Sequence, residues 1–257
     1  MEEKSSLRSS LLLPIGVFVV LIIAWALLSR FHVFPESAFP NPQSVAKGFW
    51  SELKSGRLVG DLLASVFRVA SGFGLAVIAG IPIGLLLGQI VKARAAFLPV
   101  VNFFRNLSPL AWIPFAILWF GIGDSPAIFL IFMAAFFPIV LATVAAVASI
   151  PTVYFRVANN YGLSKGQILT QVMLPAIMPQ IITTLRVTAG LSWLVVVAAE
   201  MIAGRDGLGF AIWDARNGLR MDLLVVGMIV IGLIGVLIDR LLSMLTKIPS
   251  VRWGYER

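Results

Sequence analysis

The sequence predicts an all-α membrane protein of about six transmembrane helices, with a polar helical elbow set between two of them. Three observations predict this. Hydrophobic residues make up 59% of the 257 and charged residues only 12%, at a mean hydropathy of +0.96, whereas soluble domains carry about a quarter charged residues. The apolar residues fall in continuous runs at 11–28, 62–91, 127–148, 177–203 and 223–244. Runs that are continuous rather than alternating cross lipid as helices, which pair every backbone group within the segment. Between the third and fourth of these runs, 149–175 turns polar.

The first run follows Lys4 and Arg8, as a signal peptide would, but it is longer than a signal core. Arg30, Phe31 and His32 follow it instead of a small-residue cleavage site, so it is read as a span. A sixth segment, 97–122, is long enough to cross although Asn102, Arg105, Ser108, Pro109 and Pro114 interrupt it. Within the run 62–91, Gly72, Ala76, Gly80, Gly84 and Gly88 recur every fourth residue. Such a ridge lets a neighbouring helix approach closely, whether as a sliding face or as static packing. Gly232 and Gly235 repeat the idea more weakly in the last span.

The elbow reads as two short helices meeting at a glycine. Pro151 suits a first helical turn. Val153, Tyr154, Val157, Ala158 and Tyr161 recur at helical spacing, opposite Arg156, Asn159 and Asn160. Gly162 stops that helix in a left-handed cap. Ser164 and Gln167 have the spacing of a capping box that opens the second helix, with Ile168, Leu169, Val172 and Met173 as its stripe and Pro175 as its end. An amphipathic elbow of this kind is too polar to span lipid and is suited to dock something outside the bilayer.

Charge supports a topology. With the first residues inside, one side holds Lys4, Arg8, Lys92, Arg94, Arg156, Lys165, Lys247, Arg252 and Arg257, with few acids, while the loop at 121–126 on the other side carries no base. The positive-inside rule then places both termini and the elbow in the cytoplasm. The net charge of +8 is accounted for by this distribution; no basic run or aromatic platform points to nucleic acid.

Ionisable residues inside spans are costly unless buried or near an interface. Arg68 is expected to snorkel from the outer end of its span, and Asp239 and Arg240 to lie near the inner interface. Arg105, Arg186 and Glu200 sit deeper; Arg105 precedes a proline-broken stretch whose freed carbonyls need partners, and Glu200 stands where it could brace an outer gate. There is no cysteine, the lone histidine is His32, and no P-loop or H-E-x-x-H pattern occurs. Thiolate or zinc chemistry and P-loop ATP binding therefore have no basis in the sequence. Nor is there an intramembrane chain of acids or histidines to relay protons.

The segment from Arg156 to Pro175 resembles the EAA signature of bacterial ABC importer permeases: E-A-A, three residues, G, nine residues, I-x-L-P. Ala158, Gly162, Leu174 and Pro175 match; Val172 replaces the isoleucine, Arg156 the glutamate and Val157 the first alanine. Three further stretches are similar to the nitrate, sulfonate, taurine and bicarbonate branch of that family. They are Arg105-Asn-Leu-Ser-Pro-Leu-Ala-Trp-Ile-Pro114 running on to Gly123, Leu185-Arg186, and Ala199-Glu200 through Phe210.

The resemblance implies a type I ABC importer permease (MetI-like) fold and a single transmembrane permease domain over 1–257, with core 60–250 and a coupling segment at 149–175. It implies a multi-pass subunit of the bacterial cytoplasmic (inner) membrane that pairs with a second copy. Two cytoplasmic ATPase subunits would hold ATP-Mg and receive the elbows, and a periplasmic or lipoprotein binding protein would deliver substrate. Arg156, Val157, Ala158, Asn159, Tyr161, Gly162, Ser164, Lys165, Leu174 and Pro175 would form the ATPase-coupling surface. Arg105, Trp112, Arg186, Glu200, Phe210 and Trp213 would belong to the translocation pathway or its gate. The chain itself would bind no cofactor and no metal and catalyse no reaction, and its cargo would be a small anion such as nitrate or an alkanesulfonate such as taurine. A secondary transporter or channel for small solutes is the alternative, but it would have no use for a capped elbow.

Overall fold

The computed structural model describes residues 2–31, 35, 38–248 and 251; His32, Arg252 and Arg257 lie outside them. All regular structure among the described residues is helical. In chain order the helices are α1 (Glu2–Arg30), α2 (Pro42–Lys54), α3 (Arg57–Gln89), α4 (Val91–Asn106), α5 (Ile113–Phe120), α6 (Asp124–Ala148), α7 (Thr152–Asn160), α8 (Lys165–Gln167), α9 (Leu174–Ala203), α10 (Leu208–Asn217) and α11 (Met221–Ser243). A π-helical segment, Ile168–Met173, joins α8 to α9, and 3-10 turns precede α5 (Pro109–Trp112) and follow α11 (Met244–Lys247).

Four helical runs among the described residues are long and apolar enough to cross a membrane: Arg57–Gln89, Asp124–Ala148, Lys165–Ala203 and Met221–Lys247. Gly16–Arg30 of α1 is a shorter apolar stretch. The expected third span at 97–122 is not one helix. Leu107 and Ser108 are extended, with ψ of 125° and 127°; Ser108, as the residue before a proline, is driven out of the α region, and Pro109 offers no N–H to continue the ladder. The segment becomes α4, a 3-10 turn and the short α5.

The chain forms two compact units. One comprises residues 1–60 and 211–230. Within it Gly48 of α2 lies against α11, where an added Cβ would stand 3.0 Å from Leu223. The Trp25 indole N–H donates to the Pro40 carbonyl at 3.0 Å, and Arg57 pairs with Asp214.

The other unit comprises residues 61–210 and 231–257, and in it the glycine ridge finds its partner. A Cβ added at Gly72 would stand 2.6 Å from the Ile128 carbonyl, at Gly80 2.9 Å from Ile139, at Gly84 2.5 Å from Thr143 and at Gly88 2.7 Å from Val147. Ala76, midway, is fully buried. The ridge is thus a tight α3–α6 seam, held by close backbone approach rather than by a hydrophobic drive that lipid cannot supply. On α11, Gly235 makes room for Trp193, whose indole N–H donates to the Ile231 carbonyl at 3.0 Å.

Candidate functional site

The elbow is built much as its sequence spells it. Pro151 caps α7 rather than entering its first turn, with φ −58° and ψ 133°. Gly162 takes φ +71°. Its N–H donates to the Asn159 carbonyl at 3.0 Å and the Leu163 N–H to the Ala158 carbonyl at 3.1 Å, the paired bonds of a Schellman ending. The capping box closes: the Ser164 N–H donates to Gln167 Oε1 at 2.8 Å and the Gln167 N–H to Ser164 Oγ at 3.4 Å.

The two faces of α7 separate clearly. Ala158 is buried, and Phe155 packs with Ile168, Leu169 and Leu174 on a core of Leu85, Ala146, Val147, Ile150, Met173, Ile177 and Ile181. Val153, Tyr154, Val157 and Tyr161 face outward, Tyr161 at 82% exposure. Arg156, Asn159, Ser164, Lys165 and Pro175 are exposed with them. Burying apolar surface is the main favourable term in association, and this outward stripe beside polar side chains leaves such surface uncovered. Next to it lies a cleft of about 730 Å³ bordered by Ser149, Tyr154, Gln171, Pro175 and Gln180, across which Gln180 Nε2 donates to Ser149 Oγ at 3.2 Å.

Pro175 does not end the second helix. It stands in the first turn of α9, and Lys165–Ala203 runs on as one helix of 39 residues. The π segment before it lets the ladder pass a residue with no N–H, since the wider turn moves the carbonyl that a proline ring would strike. At about 1.5 Å per residue this rod is about 58 Å long, and it ties the elbow to Glu200 near its far end.

Glu200 sits in a buried ion cluster. Arg68, expected to snorkel, is instead 1% exposed. Its Nη1 donates to Glu200 Oε1 at 2.7 Å and to the Asp206 carbonyl at 2.9 Å. Its Nε donates to Asp124 Oδ1 at 2.6 Å, and Nη2 also bonds the Asp206 carboxylate. Ser65 Oγ donates to Glu200 Oε2 at 2.9 Å and accepts from the Leu208 N–H at 2.9 Å. The Gly209 N–H donates to Glu200 Oε2 at 2.9 Å and the Gly207 N–H to Asp61 Oδ1 at 2.9 Å. The correction for Arg68 has a plain cause: three carboxylates meet its guanidinium, which makes burial cheaper than a reach to the interface. Gly207, at φ +103°, is obligatory, because a Cβ there would lie 2.4 Å from the Glu200 carboxyl carbon. The cluster staples the loop between α9 and α10 onto α3. Asp61, Ser65, Asp124 and Asp206 were not foreseen as site residues, although Asp61, Ser65 and Arg68 follow one another at i, i+4 and i+7 on a single helix face.

The other predicted pathway residues do not converge on one point. Arg105 is exposed in the last turn of α4, where a cation suits a helix C-terminus. Trp112 is half-buried at the centre of an aromatic group with Phe104, Phe115, Trp119 and Phe129, ring centroids 6.0–6.4 Å away. Phe210 is half-buried on α10; Trp213, also on α10, lies under the Arg216 guanidinium at 5.5 Å. Arg186 pairs with Asp239 at 3.0 Å.

Residues 80–248 match the family described as binding-protein-dependent transport system inner membrane component. The chain is 36% identical over 246 residues to the bicarbonate transport system permease protein of Synechococcus elongatus, covering 92% of this chain and 88% of that one. It is 34% identical to the taurine transport system permease protein of Escherichia coli (88% and 84% covered) and 34% identical to the nitrate import permease protein of a Synechocystis species (91% and 88%). In fold it resembles the inward-facing MetNI methionine ABC transporter, at a TM-score of 0.61 and 24% identity over 76% of this chain and 99% of that one. It also resembles a bacterial alginate ABC transporter solved with a pentasaccharide-bound periplasmic protein, at a TM-score of 0.63 and 15% identity over 95% of both chains.

Proposed function

The chain belongs to the binding-protein-dependent transport system inner membrane components, the permeases of ABC importers, and on that premise we propose that it forms the translocation pathway for a small oxyanion. The relatives named for taurine, nitrate and bicarbonate support that substrate class. The whole of 1–257 acts as one permease domain in this reading, paired with a second copy in the inner membrane, both termini in the cytoplasm. Two cytoplasmic ATPase subunits hold ATP-Mg, and a binding protein outside the membrane delivers the anion. Residues 149–175 are the coupling segment.

The observation that carries the reading is the outward stripe of the elbow, Val153, Val157 and Tyr161, on α7, which turns at Gly162 into the helical run Lys165–Ala203. A push on that surface reaches α9 through the tight Gly162 turn and the packing of Phe155 and Ala158 on the core beneath. Arg156, Asn159, Ser164 and Lys165 supply the polar rim with Pro175 exposed beside them, Ala158 and Leu174 anchor the segment from within, and Gly162 sets its bend. Arg105, Trp112, Arg186, Glu200, Phe210 and Trp213 are assigned to the pathway or its gate.

The test is co-purification from detergent-solubilised membranes with Val157→Asp. The side chain is 47% exposed, so the fold tolerates the change, while a carboxylate in an apolar contact removes about 2 kcal/mol or more of association free energy. An ATPase that accompanies the wild type and is lost from the variant is the expected result. A chain that purifies without an ATPase in both forms overturns the reading in favour of a secondary transporter or channel.

A further inference from the structure

Arg186 and Asp239 face each other from α9 and α11, and both helices belong to runs apolar enough to span a membrane. Their pairing is two-toothed: Arg186 Nε and Nη2 donate to Asp239 Oδ1 at 3.2 and 3.0 Å, and Nη2 reaches Oδ2 at 3.2 Å. Arg186 lies 17 residues from Ala203 (203 − 186) and Asp239 lies 18 from Met221 (239 − 221). At about 1.5 Å per residue those spacings are about 26 and 27 Å, so in a hydrocarbon core of about 30 Å the pair stands toward the far end, about one turn from the close of α11 at Ser243. The pair is nonetheless open, its side chains 35% and 59% exposed.

Near the end of a span water reaches an ion pair, and ionisable residues within spans face water-filled paths or other polar surfaces. The helix positions beside it are uncovered by other described residues. Gly190, one turn beyond Arg186, and Gly232, two turns before Asp239, each stand where an added Cβ would meet nothing within 4 Å.

Resting on the reading of the chain as an oxyanion permease, we propose that Arg186 binds the travelling anion and that Asp239 is its built-in competitor. Nitrate, bicarbonate and a sulfonate each present two oxygens on one central atom, the edge that a carboxylate offers to a guanidinium fork. Asp239 holds that fork between passages, so the arginine is never bare in a low-dielectric setting. An arriving anion takes the fork, and the displaced carboxylate then repels it onward. A pathway site must bind well enough to be entered and weakly enough to be left, and an internal rival supplies the second half.

The experiment uses the complete transporter, this chain with its ATPase and binding protein in proteoliposomes, and follows uptake of labelled nitrate, taurine and bicarbonate. The double neutral variant Arg186→Gln/Asp239→Asn leaves no stranded charge. It is expected to assemble with the ATPase and to lose uptake by about tenfold or more, as when a charged hydrogen-bonding group is removed. Uptake within twofold of wild type in the assembled variant means that the pair is only structural and overturns the proposal. Asp239→Asn alone is expected to lower the apparent KM and the maximal rate together, since the rival is gone and release slows; an unchanged KM also overturns it. A wild-type transporter that moves none of the three anions overturns the substrate reading beneath it, an outcome distinct from either variant's.

Discussion

Two arginine–carboxylate centres share helix α9, and they differ in nearly everything except chemistry. Arg68 and Glu200 are 2% and 0% exposed in their side chains. They are wrapped by Ser65, Asp124, Asp206 and the backbone N–H of Gly209. Arg186, 14 residues away on the same helix (200 − 186), and Asp239 of α11 hold one another and are partly open. The first centre has partners on all three guanidinium nitrogens of Arg68 and on both carboxylate oxygens of Glu200, which is what a buried pair needs to offset the loss of water. The second leaves edges of its guanidinium and carboxylate unclaimed. A saturated cluster fixes a loop, whereas an unsaturated pair is available for exchange.

That contrast breaks most decisively at Arg68. Arg68→Met strands Glu200 as a buried anion with only Ser65 and a backbone N–H, at a cost of about 3–5 kcal/mol. Thermal unfolding of the purified chain in detergent should show it as a large loss. Arg68→Met/Glu200→Met should recover most of that stability; a double variant as weak as the single one would mean that the carboxylates, and not the charge balance, hold the site. A smaller effect is expected at Gly207→Ala. The added methyl meets the Glu200 carboxylate at a φ of +103°, costing about 1–3 kcal/mol in strain and overpacking, and the same unfolding assay reads it. Smallest of the three is Arg186→Met, which should shift stability by less than about 1 kcal/mol because the pair is partly solvated. A shift as large as that of Arg68→Met would erase the distinction between the two centres.

Local features were legible in the sequence and tertiary ones were not. Gly162, Ser164 and Gln167 declare themselves within a few residues of the groups they bond, and the ridge from Gly72 to Gly88 is written in a single helix. The family signature at 156–175 fixed the elbow for the same reason. Arg68 was misplaced because its partners Asp124, Glu200 and Asp206 stand 56 to 138 positions away, and nothing in hydropathy reports that a charge has met three others. The interruption at Ser108 and Pro109 was visible, but apolar content still counted 97–122 as one span, since lipid compatibility and backbone continuity are separate requirements. Pro175 misled in the opposite sense: a proline can be passed if the preceding turn is wide enough, and side-chain pattern does not record the width of a turn.

That wide turn, Ile168–Met173, has an angular meaning. Each residue of α-helix advances about 100° around its axis, so the surplus residue taken up there sets the compass bearing of everything that follows on α9. Remove one residue from this turn, and Arg186, Trp193 and Glu200 would all swing away from Asp239, Ile231 and Arg68 together. The six residues of the π segment act as the keyway of a shaft, fixing which way the rod points its charges relative to the elbow.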